Sequence, residues 1–184
     1  MSPFVSVDPA TAQGKSAELL ARVKAGLGIV PNMTRRMAQS PAVLDAYLAM
    51  AGALAGGTLR APLREQIALA VAQSNGCNYC LAAHGALGKG AGLRADDLAA
   101  ARRGEAVDAR AQAALRFAQA VLDKRGHVDA GDLAAIQAAG LDGGAIGEVV
   151  ANVALNVFTN YFNSVADTPI DFPVAPPLPA AKAA

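Results

Sequence analysis

The chain has 184 residues, of which 53% are hydrophobic, 17% charged and 4% aromatic, which suits one domain with its own core or one domain with a tail. Its 16 Lys and Arg residues balance 15 Asp and Glu residues, and a net charge of +1 argues against the basic surface of a nucleic-acid-binding protein. Residues 1–9 do not resemble a signal peptide, and no segment has the apolar length of a membrane span. We therefore expect a soluble, cytoplasmic protein with no nucleic-acid or membrane partner.

The first half of the chain is predicted to be helical, because alanine and leucine dominate it and no strand-like alternation occurs. Ser40-Pro41 supplies an N-cap and a first-turn proline. Gly28 and Asn75-Gly76 are stop signals. In chain order, the predicted helices here cover residues 16–27, 34–39, 41–54 and 63–74.

The second half continues the helical pattern. Residues 108–124 carry apolar side chains at helical spacing on one face. Residues 168–184 contain five prolines and no periodicity, which predicts an extended or disordered tail after a single domain at 1–167. The whole is predicted as an all-α bundle of antiparallel helices joined by short turns. The remaining helices cover residues 77–88, 94–102 and 108–124, a segment from Asp129 or Ala130 to Gly140, and residues 144–166.

The only two cysteines, Cys77 and Cys80, have Cys-x-x-Cys spacing at the predicted start of a helix. In a reducing compartment such a pair indicates redox or metal chemistry more than a static disulfide. His84 lies one turn after Cys80, on the same helix face. The positive end of the helix stabilises a thiolate, which lowers the pKa of a thiol placed there.

Glu65 is eleven residues before the turn at Gly76, and His84 is eight residues after it. At about 1.5 Å per residue, an antiparallel pair of helices brings the two side chains level. Glu65 is then placed to orient His84, and His84 to take the proton of Cys80, directly or through one water. A thiolate that attacks a peroxide becomes a sulfenic acid, which a second thiol converts to a disulfide. The residues therefore predict a thiol peroxidase that an external dithiol resets.

The spacing Glu-x11-Cys-x2-Cys-x3-His resembles the active-site signature of alkyl hydroperoxidase D-like proteins, within the carboxymuconolactone decarboxylase superfamily. Pro31-Asn32, the segment 160–163 and the segment 171–173 resemble the peroxidase-related branch over most of the chain. The resemblance implies an AhpD-like all-α fold and a homo-oligomer of three or six subunits. It also implies hydroperoxide reduction with Cys80 as the peroxidatic thiol and Cys77 as its resolving partner.

Tyr79 stands where the founding peroxidases carry a second histidine. This departure weakens any relay that needs two histidines, and it leaves open whether a lipoyl-bearing carrier, rather than a thioredoxin-like protein, is the dithiol reductant. We expect Tyr79 to form a pocket wall rather than donate a proton. No metal or other cofactor is expected.

Glu148, Asn152, Asn156 and Asn160 recur every four residues on the last, apolar helix, either as a solvent-facing stripe or as a buried polar ladder. We favour burial, with Asn152 and Asn156 in the substrate pocket.

The two cysteines, Glu65 and His84 are also compatible with functions other than peroxide reduction. The pair could be purely structural, since apolar helices bury cysteines as small hydrophobic residues, or the four side chains could bind zinc. A redox-sensing module with a switchable disulfide and a lactone decarboxylase are the remaining possibilities. The decarboxylase chemistry needs no cysteine pair, so the presence of the pair argues against it.

Overall fold

A computed structural model describes residues 3–178 of the chain. Within that range the protein contains nine α-helices and no strand, which confirms the predicted all-α fold. The predicted helices all occur, with ends displaced by a few residues. The helices are α1 Gly14–Leu27, α2 Asn32–Met37, α3 Pro41–Ala55, α4 Ala61–Ser74, α5 Asn78–Gly90, α6 Ala95–Arg102, α7 Ala109–Asp123, α8 Ala130–Ala138 and α9 Gly143–Ala166.

Helix α4 lies at the centre and packs against α5, α6, α7 and α9. Its residues 66–72 are all buried, and most of them are small or medium aliphatic side chains that let neighbouring helices approach closely. One face, with Leu69 and Ala72, joins an apolar core shared with α1, α2, α3, α5 and α6. Another face, with Ile67 and Val71, joins a second core shared with α7, α8 and α9.

Helices α4 and α5 form an antiparallel hairpin. Gly76 has a φ of 67°, a left-handed conformation that glycine adopts without strain, and it reverses the chain in a short turn. The Cys77 amide then bonds to the Ala72 carbonyl at 2.9 Å, which closes the end of α4. This hairpin fixes the register between Glu65 on one helix and His84 on the other.

Helix α5 continues to Gly90, two residues beyond the predicted end at Gly88. Gly88 is buried, and a Cβ atom there would lie 2.7 Å from a methyl group of Leu98 on α6. This glycine therefore allows α6 to pack closely and does not stop the helix.

Residues 168–178 form an extended arm without helix or strand that lies on α2, α5 and α6. Asp171 accepts a hydrogen bond from the Asn32 amide at 2.7 Å, and the Pro176 carbonyl accepts one from Arg102 at 2.6 Å. The rest of the predicted tail, residues 179–184, lies outside the described residues, as do residues 1 and 2.

No single helix within residues 3–178 has both the length and the apolarity to cross a membrane. Helices α8 and α9 meet those criteria only as a pair, across a bend of 115°.

Candidate active site

Cys77 and Cys80 are joined by a disulfide at the start of α5, with their Cα atoms 5.3 Å apart. Cys77 is the N-cap residue of this helix, and its Sγ accepts a hydrogen bond from the Cys80 amide at 3.2 Å. Both are buried, with 7% of Cys77 and 2% of Cys80 exposed. The pair therefore lies at the positive end of a helix dipole, as the spacing predicted, and its sulfurs face little bulk water.

Glu65 and His84 are in direct contact across the α4–α5 hairpin. The Glu65 Oε2 atom lies 2.8 Å from His84 Nδ1, and about a fifth of each side chain is exposed. The carboxylate acceptor requires a proton on Nδ1, so in the neutral tautomer Nε2 is the free base nitrogen. The predicted juxtaposition of these two residues is present in the structure.

A cavity of about 320 Å³ lies between α3, α4, α5 and α9. This volume is at the lower end of the range of about 300–1,000 Å³ for small-molecule sites. Cys80 borders the cavity and Cys77 does not. An oxidant that enters the cavity thus meets Cys80 first. The lining of the cavity also includes Tyr47, Glu65, Tyr79, His84, Asn152, Asn156, Asn163 and Phe172.

Asn163 on α9 is a site residue that the sequence reasoning did not single out. Its Nδ2 atom lies 3.3 Å from Cys80 Sγ and 3.2 Å from the Met33 sulfur, and the side chain is buried. The amide N–H is a donor and stabilises negative charge on a sulfur. Asn163 follows Asn160 by three residues, so the polar series on α9 was the signal that could have identified it.

Tyr79 is buried and forms one wall of the cavity. Its hydroxyl accepts a hydrogen bond from the Met33 amide at 3.2 Å, and its ring packs edge-on against Phe172 of the C-terminal arm. Burial raises the pKa of Tyr79 well above its usual value, and the neighbouring Asp171 carboxylate raises it further, against an opposing effect of the Met33 amide. Tyr79 therefore stays protonated at neutral pH.

Phe172 and Asp171 lie in a segment without periodicity, and nothing in its pattern indicated that it would cover Tyr79. Tyr47 on α3 also borders the cavity, and burial followed by the nearby Glu65 charge raises its pKa. In the sequence, Tyr47 falls at helical spacing with Val43, Met50 and Leu54, a pattern that is typical of a core position.

The four polar residues of the series on α9 have three different roles. Asn152, Asn156 and Asn160 are buried, and the first two line the cavity, as predicted for a buried ladder. Asn160 instead accepts a hydrogen bond from Asn75 at 2.9 Å beside the α4–α5 turn. Glu148 is not part of the buried ladder, because its carboxylate accepts hydrogen bonds from the backbone amides of Thr58 and Leu59.

A zinc site would require Cys77, Cys80, His84 and Glu65 to converge on one point. Across residues 3–178, no group of three or more His, Cys, Asp or Glu side chains is arranged to hold a metal ion. The geometry of these residues gives the zinc hypothesis no support.

A sequence model of the carboxymuconolactone decarboxylase family matches residues 41–123, which include the cysteine pair, Glu65 and His84. A search of curated proteins finds no significant match. Solved structures with the same fold include the AhpD core of a peroxidase-related protein from Ralstonia eutropha, at 25% identity and a TM-score of 0.81 over 92% of each chain.

A peroxidase-related protein from a Silicibacter species is 23% identical, with a TM-score of 0.77 over 91% of this chain and 92% of that one. A cysteine-to-alanine variant of the debrominase Bmp8, in complex with 2,3,4-tribromopyrrole, is 19% identical. It has a TM-score of 0.79 over 93% of this chain and 92% of that one. These two likenesses concern the fold.

Proposed function

We propose that the chain, whose residues 41–123 match the carboxymuconolactone decarboxylase family and whose fold matches an AhpD core, is a thiol-dependent peroxidase that reduces hydroperoxides through Cys80 and Cys77. The observation that carries the proposal is the position of the disulfide. One of its sulfurs borders a cavity that the Glu65–His84 pair also lines, while the other does not border that cavity.

The chemistry starts from the reduced pair. The Cys80 thiolate attacks the terminal oxygen of the hydroperoxide, so that an S–O bond forms, the O–O bond breaks and an alcohol leaves with one proton. Cys77 then attacks the sulfur of the Cys80 sulfenic acid, which forms the disulfide and releases water. An external dithiol reduces this disulfide and is itself oxidised, with two electrons transferred per cycle.

Three side chains support these steps in the proposal. His84 accepts the Cys80 proton and returns it to the leaving alkoxide, and Glu65 holds the imidazole in the tautomer that makes this possible. Asn163 donates a hydrogen bond to the Cys80 sulfur and stabilises its negative charge. The reductant is a lipoyl-bearing or thioredoxin-like protein of the cytoplasm.

The test is peroxide consumption with a panel of dithiols, for wild type and Cys80→Ser. We expect many equivalents of peroxide to be consumed by wild type and none above background by the variant. Cys77→Ser is the matched control: treated with peroxide and a sulfenic-acid trap, it should carry the label on Cys80. A label that forms only on Cys77, in Cys80→Ser protein, would reverse the roles of the two thiols.

The same assay distinguishes a peroxidase from a redox sensor and from a lactone decarboxylase. A redox sensor consumes a single equivalent of peroxide per chain, because its disulfide persists until a partner responds. A lactone decarboxylase would consume no peroxide above background, because its reaction needs neither peroxide nor a thiol pair.

A further inference from the structure

Asn152 and Asn156 have an orientation that their hydrogen bonds determine. Each donates its side-chain N–H to a backbone carbonyl four residues earlier, Asn152 to Glu148 and Asn156 to Asn152, both at 2.8 Å. A carbonyl oxygen can only accept, so the atom that faces it must be the nitrogen. The carboxamide oxygen of each residue therefore remains able to accept a hydrogen bond.

These two oxygens have no hydrogen-bond donor among residues 3–178. Both asparagines are only 4% exposed, and both line the cavity that Cys80 borders. Neither oxygen is among the fully enclosed unpartnered atoms of these residues, so each has open space beside it in the cavity, where a ligand's donor can bind it.

The spacing along α9 places these acceptors at a distance from the reacting sulfur. Asn163, which contacts Cys80, is seven residues after Asn156 and eleven after Asn152. At 1.5 Å per residue the acceptors are roughly 10 and 16 Å along the helix from the Cys80 end. Most of the other lining side chains are apolar, such as Leu155 and Ala51, while Thr159, between Asn156 and Asn163 on α9, and Arg64 are polar exceptions.

We propose that the cavity selects hydroperoxides with an aliphatic body that carries a neutral hydrogen-bond donor, such as a hydroxyl, at the end remote from the peroxide. Asn156 and Asn152 accept from that donor while the peroxide lies against Cys80. The donor is neutral because the acceptors carry no charge and an ammonium group would be costly to bury beside them. This inference rests on the proposed peroxidase function for the reacting end of the ligand only.

The first experiment measures binding and needs no turnover. In Cys80→Ser protein, calorimetry compares octanediol, which has a hydroxyl at each end, with its dimethyl ether, which has no donor. Replacing Asn152 and Asn156 by leucine should weaken diol binding about fivefold, the factor for one net hydrogen bond, and leave ether binding unchanged. Leucine has the same number and branching of side-chain heavy atoms, and the two backbone carbonyls keep their helical bonds. Equal diol affinity before and after the substitutions overturns the inference.

The second experiment measures kcat/KM for octyl hydroperoxides whose far end is a hydroxyl or a methyl ether. Wild type should prefer the hydroxyl compound about fivefold, and the double leucine variant should lose this preference. Loss of diol affinity without turnover of any hydroperoxide contradicts the peroxidase proposal and leaves the acceptor site standing. Turnover of both compounds at equal rates, with unchanged diol affinity, contradicts the acceptor site and leaves the peroxidase standing.

Discussion

Asn163 brings a neutral donor to the sulfur of Cys80 from a helix 83 residues away in sequence. Its Oδ1 atom is buried and without a partner among the described residues, so the side chain is held by its contacts with the two sulfurs of Met33 and Cys80. A thiolate accepts hydrogen bonds and a disulfide sulfur accepts them only weakly. The donor therefore favours the ionised, reactive form of Cys80.

Asn163→Leu should slow alkylation of reduced Cys80 near neutral pH by roughly tenfold, because a hydrogen bond to a charged group contributes about 1.5–3 kcal/mol. Asn163→Asp should slow it further, since a carboxylate repels the thiolate. The measurement is the pH dependence of alkylation in Cys77→Ser protein. Ser164→Ala, an exposed neighbour on the same turn, is the control. An unchanged profile in Asn163→Leu would mean that Asn163 packs against Cys80 but does not stabilise its thiolate.

Glu65→Gln should lower the alkylation rate of Cys80 while the fold persists. The glutamine keeps the size of the side chain but removes the charge that balances His84 when it takes the thiol proton. We expect about a fivefold loss near neutral pH, the factor for the ~1 kcal/mol of a partly exposed ion pair. The loss should shrink as pH rises, because alkali ionises the thiol without a base.

The control for Glu65→Gln is Glu105→Gln, which removes an ion pair with Arg103 at the surface. Its alkylation profile should match that of wild type. Identical profiles for all three proteins would show that Glu65 does not act on Cys80.

The hairpin of α4 and α5 carries Cys77, Cys80, Glu65 and His84, and the relative positions of these residues could be predicted from the sequence. The distances from Gly76 to Glu65 and to His84 follow from helix geometry alone, and both residues lie where that geometry places them. The cavity is also lined by α3 and α9, and no local sequence pattern predicts how helices that are far apart in the chain pack together. Tyr47 therefore became visible as a site residue only in the folded chain, and the polar series on α9 could mark Asn163 as polar but not place it beside Cys80.

Glu148 joins α9 to the loop between α3 and α4. Its carboxylate accepts hydrogen bonds from the Thr58 amide, the Thr58 hydroxyl and the Leu59 amide, at 2.8–3.0 Å. These bonds hold the pKa of Glu148 below its ordinary value of 4.5. The backbone carbonyl of the same residue accepts from Asn152, so the loop and the cavity wall share one anchor.

Glu148→Gln should lower the free energy of unfolding by about 1–2 kcal/mol at neutral pH, since it replaces hydrogen bonds to a charged acceptor. A carboxylate with a depressed folded pKa stabilises fully above its unfolded pKa, here near 4.5, and this contribution declines as pH falls through the folded value. Urea unfolding of both proteins should therefore converge in acid.

Glu18→Gln on α1 is the control for this comparison, because its exposed carboxylate forms a surface ion pair with Lys15. It should change stability little at any pH. A wild-type advantage over Glu148→Gln that persists undiminished below the folded pKa would show that packing, and not charge, stabilises the loop.

The protein is helical where its sequence has helical periodicity. The position of the segment that lacks this periodicity is determined by long-range contacts. Residues 168–178 have prolines and no period, yet Phe172 borders the cavity and Asp171 binds the start of α2. Their position depends on long-range contacts with Tyr79 and Asn32, which composition does not encode. The predicted division between a domain at 1–167 and a tail thus stays a prediction, although part of the tail contributes to the site.

The outer face of α9 carries an exposed apolar stripe. Its members follow one another at intervals of three or four residues, so they lie on one side of the helix, opposite the buried asparagines. A row of large exposed apolar side chains is typical of an interaction surface. The stripe consists of Val150, Ala154, Phe158, Tyr161 and Val165.

We expect copies of this chain to associate through the α9 stripe into a closed homo-oligomer, a trimer or hexamer as the family resemblance implies. Light scattering at micromolar concentration should then report three or six times the chain mass of 18.5 kDa. Phe158→Glu and Tyr161→Glu together should reduce the particle to a monomer, because each buries a charge in the contact. Val107→Glu, at a site that is 94% exposed and outside the stripe, should leave the assembly intact. A wild-type particle of 18.5 kDa would contradict the expectation, and an intact oligomer in the double variant would place the contact elsewhere.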